Sequence, residues 1–212
     1  MDKIQKIKSE AQKFFEGKNS SHDWDHTERV LKLALHIGKK ENADLEVIEL
    51  ASFLHDIARE EQNKSSGQIC HAERGAFLAR EILEKHGYNS EKINKIVHCI
   101  ERHRFKRGLA PETLEAKILF DADKLDSIGA VGLGRAFQFA GEIGAKLHNS
   151  DVDIEKTKEY SEDDTAFREF SVKLKKVKNC IFTTEGKRIA EGRHNFMVNF
   201  FERLEKEIHG EV

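Results

Sequence analysis

The sequence predicts an all-α protein. Three observations carry that expectation. Apolar residues recur with helical period in almost every segment. No segment shows the apolar–polar alternation of a half-buried strand bounded by turns. The only proline, Pro111, falls at a break between periodic segments, where it suits the first turn of a helix.

Ile4, Ile7, Ala11, Phe14 and Phe15 form an apolar stripe on a first helix, with a stop expected near Gly17. Ser20, Ser21, His22 and Asp23 offer capping residues for a second, from about Trp24 to Lys39. Its inner stripe is Val30, Leu33, Ala34 and Ile37. A third is expected from about Asp44 to Glu60, with Val47, Ile48, Ala51, Leu54 and Ile57 inward. Lys64-Ser65-Ser66-Gly67 reads as a loop. A fourth, about His71 to His86, carries Ala72, Ala76, Ala79 and Leu83 and stops at Gly87. A fifth, about Ser90 to His103, carries Ile93, Ile96, Val97 and Ile100. Arg107-Gly108-Leu109-Ala110-Pro111 is a break before a helix from about Glu112 to Ser127.

Gly129-Ala130-Val131-Gly132-Leu133-Gly134 has no preceding strand and no following Gly-Lys-Ser/Thr, so it is not read as a phosphate loop. Its small residues are expected to let two helices approach closely. The polar stretch Lys146 to Asp164 is expected to be a surface loop or lid. Two helices follow, about Thr165 to Asn179 and Thr184 to Ile208. The last carries Ile189, Phe196, Met197, Phe200 and Leu204. Phe196, Phe200 and Phe201 are read as packing either internally or against a partner.

A chain of 212 residues suits one domain. A net charge of -2 and a pI near 6.6 give no general basic surface, which argues against duplex nucleic acid as a partner. No apolar run approaches the about 18 residues of a membrane span. Met1 to Lys6 lacks the apolar core of a signal peptide. Cys70, Cys99 and Cys180 are far apart and are read as reduced thiols of a cytoplasmic protein.

Four side chains then stand out. His26 precedes Val30 by four residues and Ala34 by eight, so it continues the buried stripe of its helix. His55 and Asp56 end the apolar run that begins at Ala51. As neighbours about 100° apart, both can reach one point from a helix end. Asp123 lies four residues after Leu119. That helix is apolar nearly all round, so periodicity leaves Asp121 and Asp126 as alternatives. Bare carboxylates among leucines cost several kcal/mol each unless a positive charge compensates them. A shared divalent cation is the economical explanation. Imidazole with carboxylate suits Mn, Fe, Co, Zn or Mg.

At these residues the chain resembles the HD superfamily of metal-dependent phosphohydrolases, named for its H…HD…D pattern. His26, His55-Asp56 and Asp123 match its four ligands. Asp123 is preferred because Ala122-Asp123-Lys124-Leu125 reproduces the family's context. Further matches are Ser21 to Val30, Leu54 to Arg59, Ile100 to Phe105, Thr113 to Ile118 and Thr184 to Ala190. As a set they are similar to a bacterial branch of small, stand-alone HD hydrolases of nucleotide pyrophosphohydrolase type. The resemblance implies a single HD-type domain over residues 1–212. It is an all-α bundle with a core at about 20–130 and C-terminal helices, about 131–212, packed on it.

The resemblance further implies a divalent-metal-dependent phosphohydrolase. Its expected substrate is a small phosphorylated molecule, with nucleoside or deoxynucleoside triphosphates the leading class and metal-activated water the attacking group. One ion is implied (Mn, Mg, Co, Fe, Ni or Zn), with Mn or Mg expected to support activity. Lys124, directly after the last ligand, is the first candidate for a phosphate contact; Arg59, Arg104 and Arg135 follow. Several branches carry a glutamate three residues after the HD aspartate. Here that position is Arg59, so the family's general base does not carry over, and Glu60 and Glu61 are the nearby carboxylates. Two-metal HD proteins draw further histidines from the places of His71 and His103. A second ion, a phosphate or water contact, and simple packing stand as alternatives for that pair. With a second ion, the rival activities are a two-metal phosphodiesterase and a di-iron oxygenase. A non-catalytic nucleotide- or metal-binding regulator is the third reading, and monomer and homodimer both stay open.

Overall fold

The computed structural model describes residues 2–16, 23–104, 110–149 and 151–212. Ten α-helices and no strand occur among the described residues. The expected stop near Gly17, the capping residues Ser20, Ser21 and His22, the motif residue Phe105 and the break at Arg107-Gly108-Leu109 lie outside them. No helix among the described residues is long and apolar enough to cross a membrane. The chain divides into two compact units, Met1–Asp123 and Lys124–Val212.

In the first unit, α1 (Lys3–Gln12) starts at Asp2, whose side chain accepts from Gln5 N. A 3-10 turn, Lys13–Phe15, continues it. Helix α2 (Trp24–Glu41) is capped by Asp23 and ended by Asn42 in the left-handed conformation. Helix α3 (Leu45–Leu54) is the centre of this unit. Seven of its residues are buried, from Val47 to Leu54, and it packs against α1 and α2. The sequence led us to expect this helix to run on to Glu60. Instead it stops at Leu54, residues 55–58 form a turn, and α4 (Arg59–Lys64) begins anew. The turn is closed by Arg59 N donating to Asp56 O at 2.9 Å.

Helix α5 (His71–Lys85) and α6 (Ser90–Arg102) pack on each other and on α3. Helix α5 lies against the 55–58 turn at Gly75, where a methyl would make ordinary contact, 3.5 Å from His55 O and 3.8 Å from Ala58 Cβ. Helix α7 (Leu114–Asp126) carries Leu119, Phe120, Asp121 and Ala122, all buried. The boundary between the two units falls within it.

In the second unit, α8 (Gly129–Glu142) is a helix that the glycine-rich sequence did not announce. Glycine is a poor helix former, and close approach is what holds these positions. Cβ atoms at Gly129 and Gly132 would strike Arg193 Cγ, at 2.8 Å, and the Ser127 carbonyl respectively. Helix α9 (Ala166–Val172) is shorter than expected, and the chain continues as a 3-10 helix, Leu174–Cys180. Helix α10 (Thr184–Ile208) runs as expected from its Thr183 cap. Phe137, Phe167, Phe170, Phe200 and Phe201 form one ring cluster, whereas Phe196 is exposed. Apart from a 3-10 turn, Ile154–Lys156, the described residues 146–149 and 151–164 are irregular, as expected. They are tied down by buried Arg168, which donates to Asp164 Oδ1 at 2.8 Å and Thr157 Oγ1 at 2.7 Å.

Gly132→Ala should lower stability by about 1–3 kcal/mol through overpacking. Gly134, exposed and with nothing within 4 Å of its would-be Cβ, is the control. Gly134→Ala should gain about 0.5–1 kcal/mol from helix propensity. Urea unfolding of both variants checks this; equal midpoints would contradict the close approach at Ser127.

Candidate metal centre

Most of the candidate ligands sit at helix ends, and local rules explain their placement. His26 is in the first turn of α2, where its backbone N–H donates to Asp23 Oδ1 at 2.9 Å. His55 is the C-cap of α3 and His103 the C-cap of α6. A helix end leaves carbonyls without intrahelical partners. His55 Nδ1 donates to Ser52 O at 2.8 Å, and His103 Nδ1 to Ile100 O at 2.6 Å. A carbonyl only accepts, so each ring carries its proton on Nδ1 and presents a bare Nε2. His71 opens α5. Its Nδ1 lies 2.8 Å from Gln62 Oε1 and 3.2 Å from Arg104 Nη1. The shorter contact, to an acceptor, again sets the proton on Nδ1.

All these Nε2 atoms converge on Asp56, which is 1% exposed. Oδ1 lies 3.3 Å from His71 Nε2 and 3.6 Å from His103 Nε2. Oδ2 lies 3.7 Å from His55 Nε2 and 3.9 Å from His26 Nε2. His26 Nε2 is in turn 3.3 Å from Asp123 Oδ1. The ligating atoms of His26, His55 and Asp123 lie within 4.8 Å of one another, and so do those of Asp56, His71 and His103. The four residues singled out as one set are therefore divided between two groups, with Asp56 facing both.

The donor chemistry fits a divalent cation. His55 Nε2 is buried without a hydrogen-bond partner. His71 Nε2 and His103 Nε2 face each other at 3.1 Å, an approach of two lone pairs that requires a proton or a metal ion between them. Imidazole nitrogen with carboxylate oxygen is the ligand set of Mn, Fe, Co, Zn or Mg sites. The backbone carbonyls behind the rings are the outer partners that orient such ligands.

The other expected residues are placed as follows. Asp121 is buried on α7 but lies in neither donor group. Arg59 Nη2 donates to both oxygens of Asp56 at 3.1 Å. Arg104 Nη1 donates to Gln62 Oε1 at 2.9 Å. Arg135 donates to Asp126 Oδ2 at 2.8 Å. Lys124 is half-buried and follows Asp123 on the same helix. Glu60 pairs with Lys64 and Glu61 with Arg74, so neither joins the two groups. Gln62 escaped the sequence reading. Nothing in its local pattern marks it, because its role depends on where α4 lies against α5.

Burial pushes His55 down to about 4, and it pushes His71 further the same way. Both rings are neutral when folded, against about 6.5 when unfolded. Above pH 6.5 neither state takes the proton and the full stability is present. Below it only the unfolded chain does, so stability falls as pH drops. For His55 alone the loss reaches about 3 kcal/mol by pH 4. Melting in chelator across this range should show it, and His55→Ala should flatten the slope; an equal slope in both proteins would refute the assignment.

With this geometry in hand, three comparisons place the chain. The HD domain family matches residues 23–128. The uncharacterized protein YpgQ of Bacillus subtilis is 34% identical over 217 aligned positions, covering 99% of this chain and 96% of that protein. The crystal structure of Bacillus subtilis YpgQ in complex with ADP is similar at TM-score 0.73 and 31% identity, covering 97% of this chain and 94% of that one. An HD-superfamily hydrolase from Bacillus thuringiensis is similar at TM-score 0.78 and 28% identity, covering 98% and 97%. Helical architecture, paired donor groups and whole-length similarity agree: this chain belongs to the HD domain family.

Proposed function

We propose that the chain is a divalent-metal-dependent phosphohydrolase acting on nucleotides, with nucleoside or deoxynucleoside triphosphates as the substrate class. The observation that carries this reading is the buried Asp56 carboxylate, ringed by the Nε2 atoms of four histidines. His26, His55, Asp56 and Asp123 would hold the ion. A bound divalent ion polarises a phosphoryl oxygen and lowers the pKa of water.

The chain's own residues supply the rest. The Nδ1 contacts of His55 to Ser52 and of His103 to Ile100 preset those rings. Phosphoryl transfer is mainly positioning and compensation of negative charge. Lys124 and Arg104 are assigned to the phosphate oxygens. Lys124 adjoins Asp123, and Arg104 lies beside His71. Arg59 and Arg135 keep their carboxylates in this reading. The ADP complex of the YpgQ relative supports a nucleotide as ligand. A second reading, a two-metal phosphodiesterase or di-iron oxygenase, draws on the Asp56, His71 and His103 group and requires an ion there.

Purified protein with Mn or Mg should release phosphate or pyrophosphate from a panel of nucleoside triphosphates. Absence of turnover for every phosphorylated compound tried would overturn the proposal. His55→Ala and Asp56→Ala should each lower turnover at least about a hundredfold, beyond what losing an outer-shell partner costs. Both should also abolish the rise in melting temperature that Mn gives the unsubstituted chain. A retained rise in either variant would remove that residue from the ligand set.

A further inference from the structure

The two donor groups around Asp56 are unequal in charge. The first contains Asp123 and faces Asp56 Oδ2. It therefore has two carboxylates. The second, His71 and His103 with Asp56 Oδ1, has one. Against that single carboxylate stand two guanidinium groups. Arg59 Nη2 lies 3.1 Å from Oδ1, and Arg104 Nη1 lies 3.2 Å from His71 Nδ1. His71, His103 and Asp56 are at most 1% exposed, and the Arg59 and Arg104 guanidinium groups are half-buried. Water and salt screen such charges poorly.

We propose that Arg59 limits this site to one divalent ion, because its guanidinium lies on both oxygens of Asp56, the carboxylate that two ions would have to share. The inference rests on the metal-centre reading above. Asp56, Asp123 and Arg59 sum to -1. One divalent ion brings these three to +1, whereas two would bring them to +3 before Arg104 is counted, which is strongly disfavoured among largely buried groups. Arg59 also donates to both Asp56 oxygens, and a second ion would have to displace part of that bonding. Arg104 reinforces the same bias from the opposite side of His71. Arg59 is thus a positioning residue that sets metal number, and through it separates one-ion phosphohydrolysis from the two-ion chemistries of the same scaffold.

Manganese bound per chain, measured by equilibrium dialysis of the full chain, tests this. The unsubstituted chain should bind one ion tightly. Arg59→Gln should bind a second at least about tenfold tighter than the unsubstituted chain does. The paired ions should show a spin-coupled manganese signal in electron paramagnetic resonance. Arg59→Met is a second neutral variant if the glutamine variant folds poorly. Arg59→Lys keeps the charge and should stay at one ion. Adding His71→Ala to Arg59→Gln should return the count to one. A single ion in both folded neutral variants overturns the inference, and so do two ions in the unsubstituted chain. No manganese in the unsubstituted chain overturns the metal-centre reading itself, and that count tells the two failures apart.

Discussion

A carboxylate buried in the middle of a helical unit is the constraint from which the rest of this site follows. Asp56 has almost no contact with solvent. Left bare, it would cost several kcal/mol. Three features answer that cost. The turn at 55–58 presents both oxygens outward from the end of α3. Arg59, one turn further on, donates to both of them. Imidazole nitrogens from α2, α5 and α6, with His55 itself, surround the same two oxygens. The arrangement is electron-rich and shaped for a cation.

Convergence is achieved with ordinary helix-end chemistry. The C-terminal carbonyls of α3 and α6 need donors, and the imidazoles of His55 and His103 supply them. The same bonds that finish the helices also fix which ring nitrogen is bare. Helix α4 acts as an outer brace. Arg59 reaches Asp56, Glu61 reaches Arg74, and Gln62 reaches both His71 and Arg104. At Gly75, helix α5 lies directly against the turn that carries His55 and Asp56. Stability and function therefore share contacts in the first unit. The second unit is held by a different means, a phenylalanine cluster and the buried Arg168 clamp.

Much of this was legible in the sequence, for a definite reason. Helical period is a local property, so α2, α5, α6 and α10 announce themselves through stripes and caps. Histidines and aspartates on apolar faces announce themselves too, because burying such groups without a purpose is costly. Where local signals conflict with packing, the reading fails. Helix α8 is rich in glycine, a poor helix former, and close approach explains Gly129 and Gly132 but not Gly134 or Gly141. Helix α3 stops at Leu54 although the apolar period runs on to Ile57. The turn at 55–58 carries His55 and Asp56, whose side chains face His26, His71 and His103.

The sequence by itself determined the all-α class, the helices with clear period and the set of candidate donors. Only the tertiary structure decided how those donors are shared out. It set Asp123 rather than Asp121 with His26 and His55, joined His71 and His103 to Asp56, and turned Arg59 onto that carboxylate. It also revealed Gln62, which has no signature of its own. The reason is geometric: period tells which face of a helix is buried, whereas ligand grouping depends on where helix ends meet and which way each side chain turns when they do.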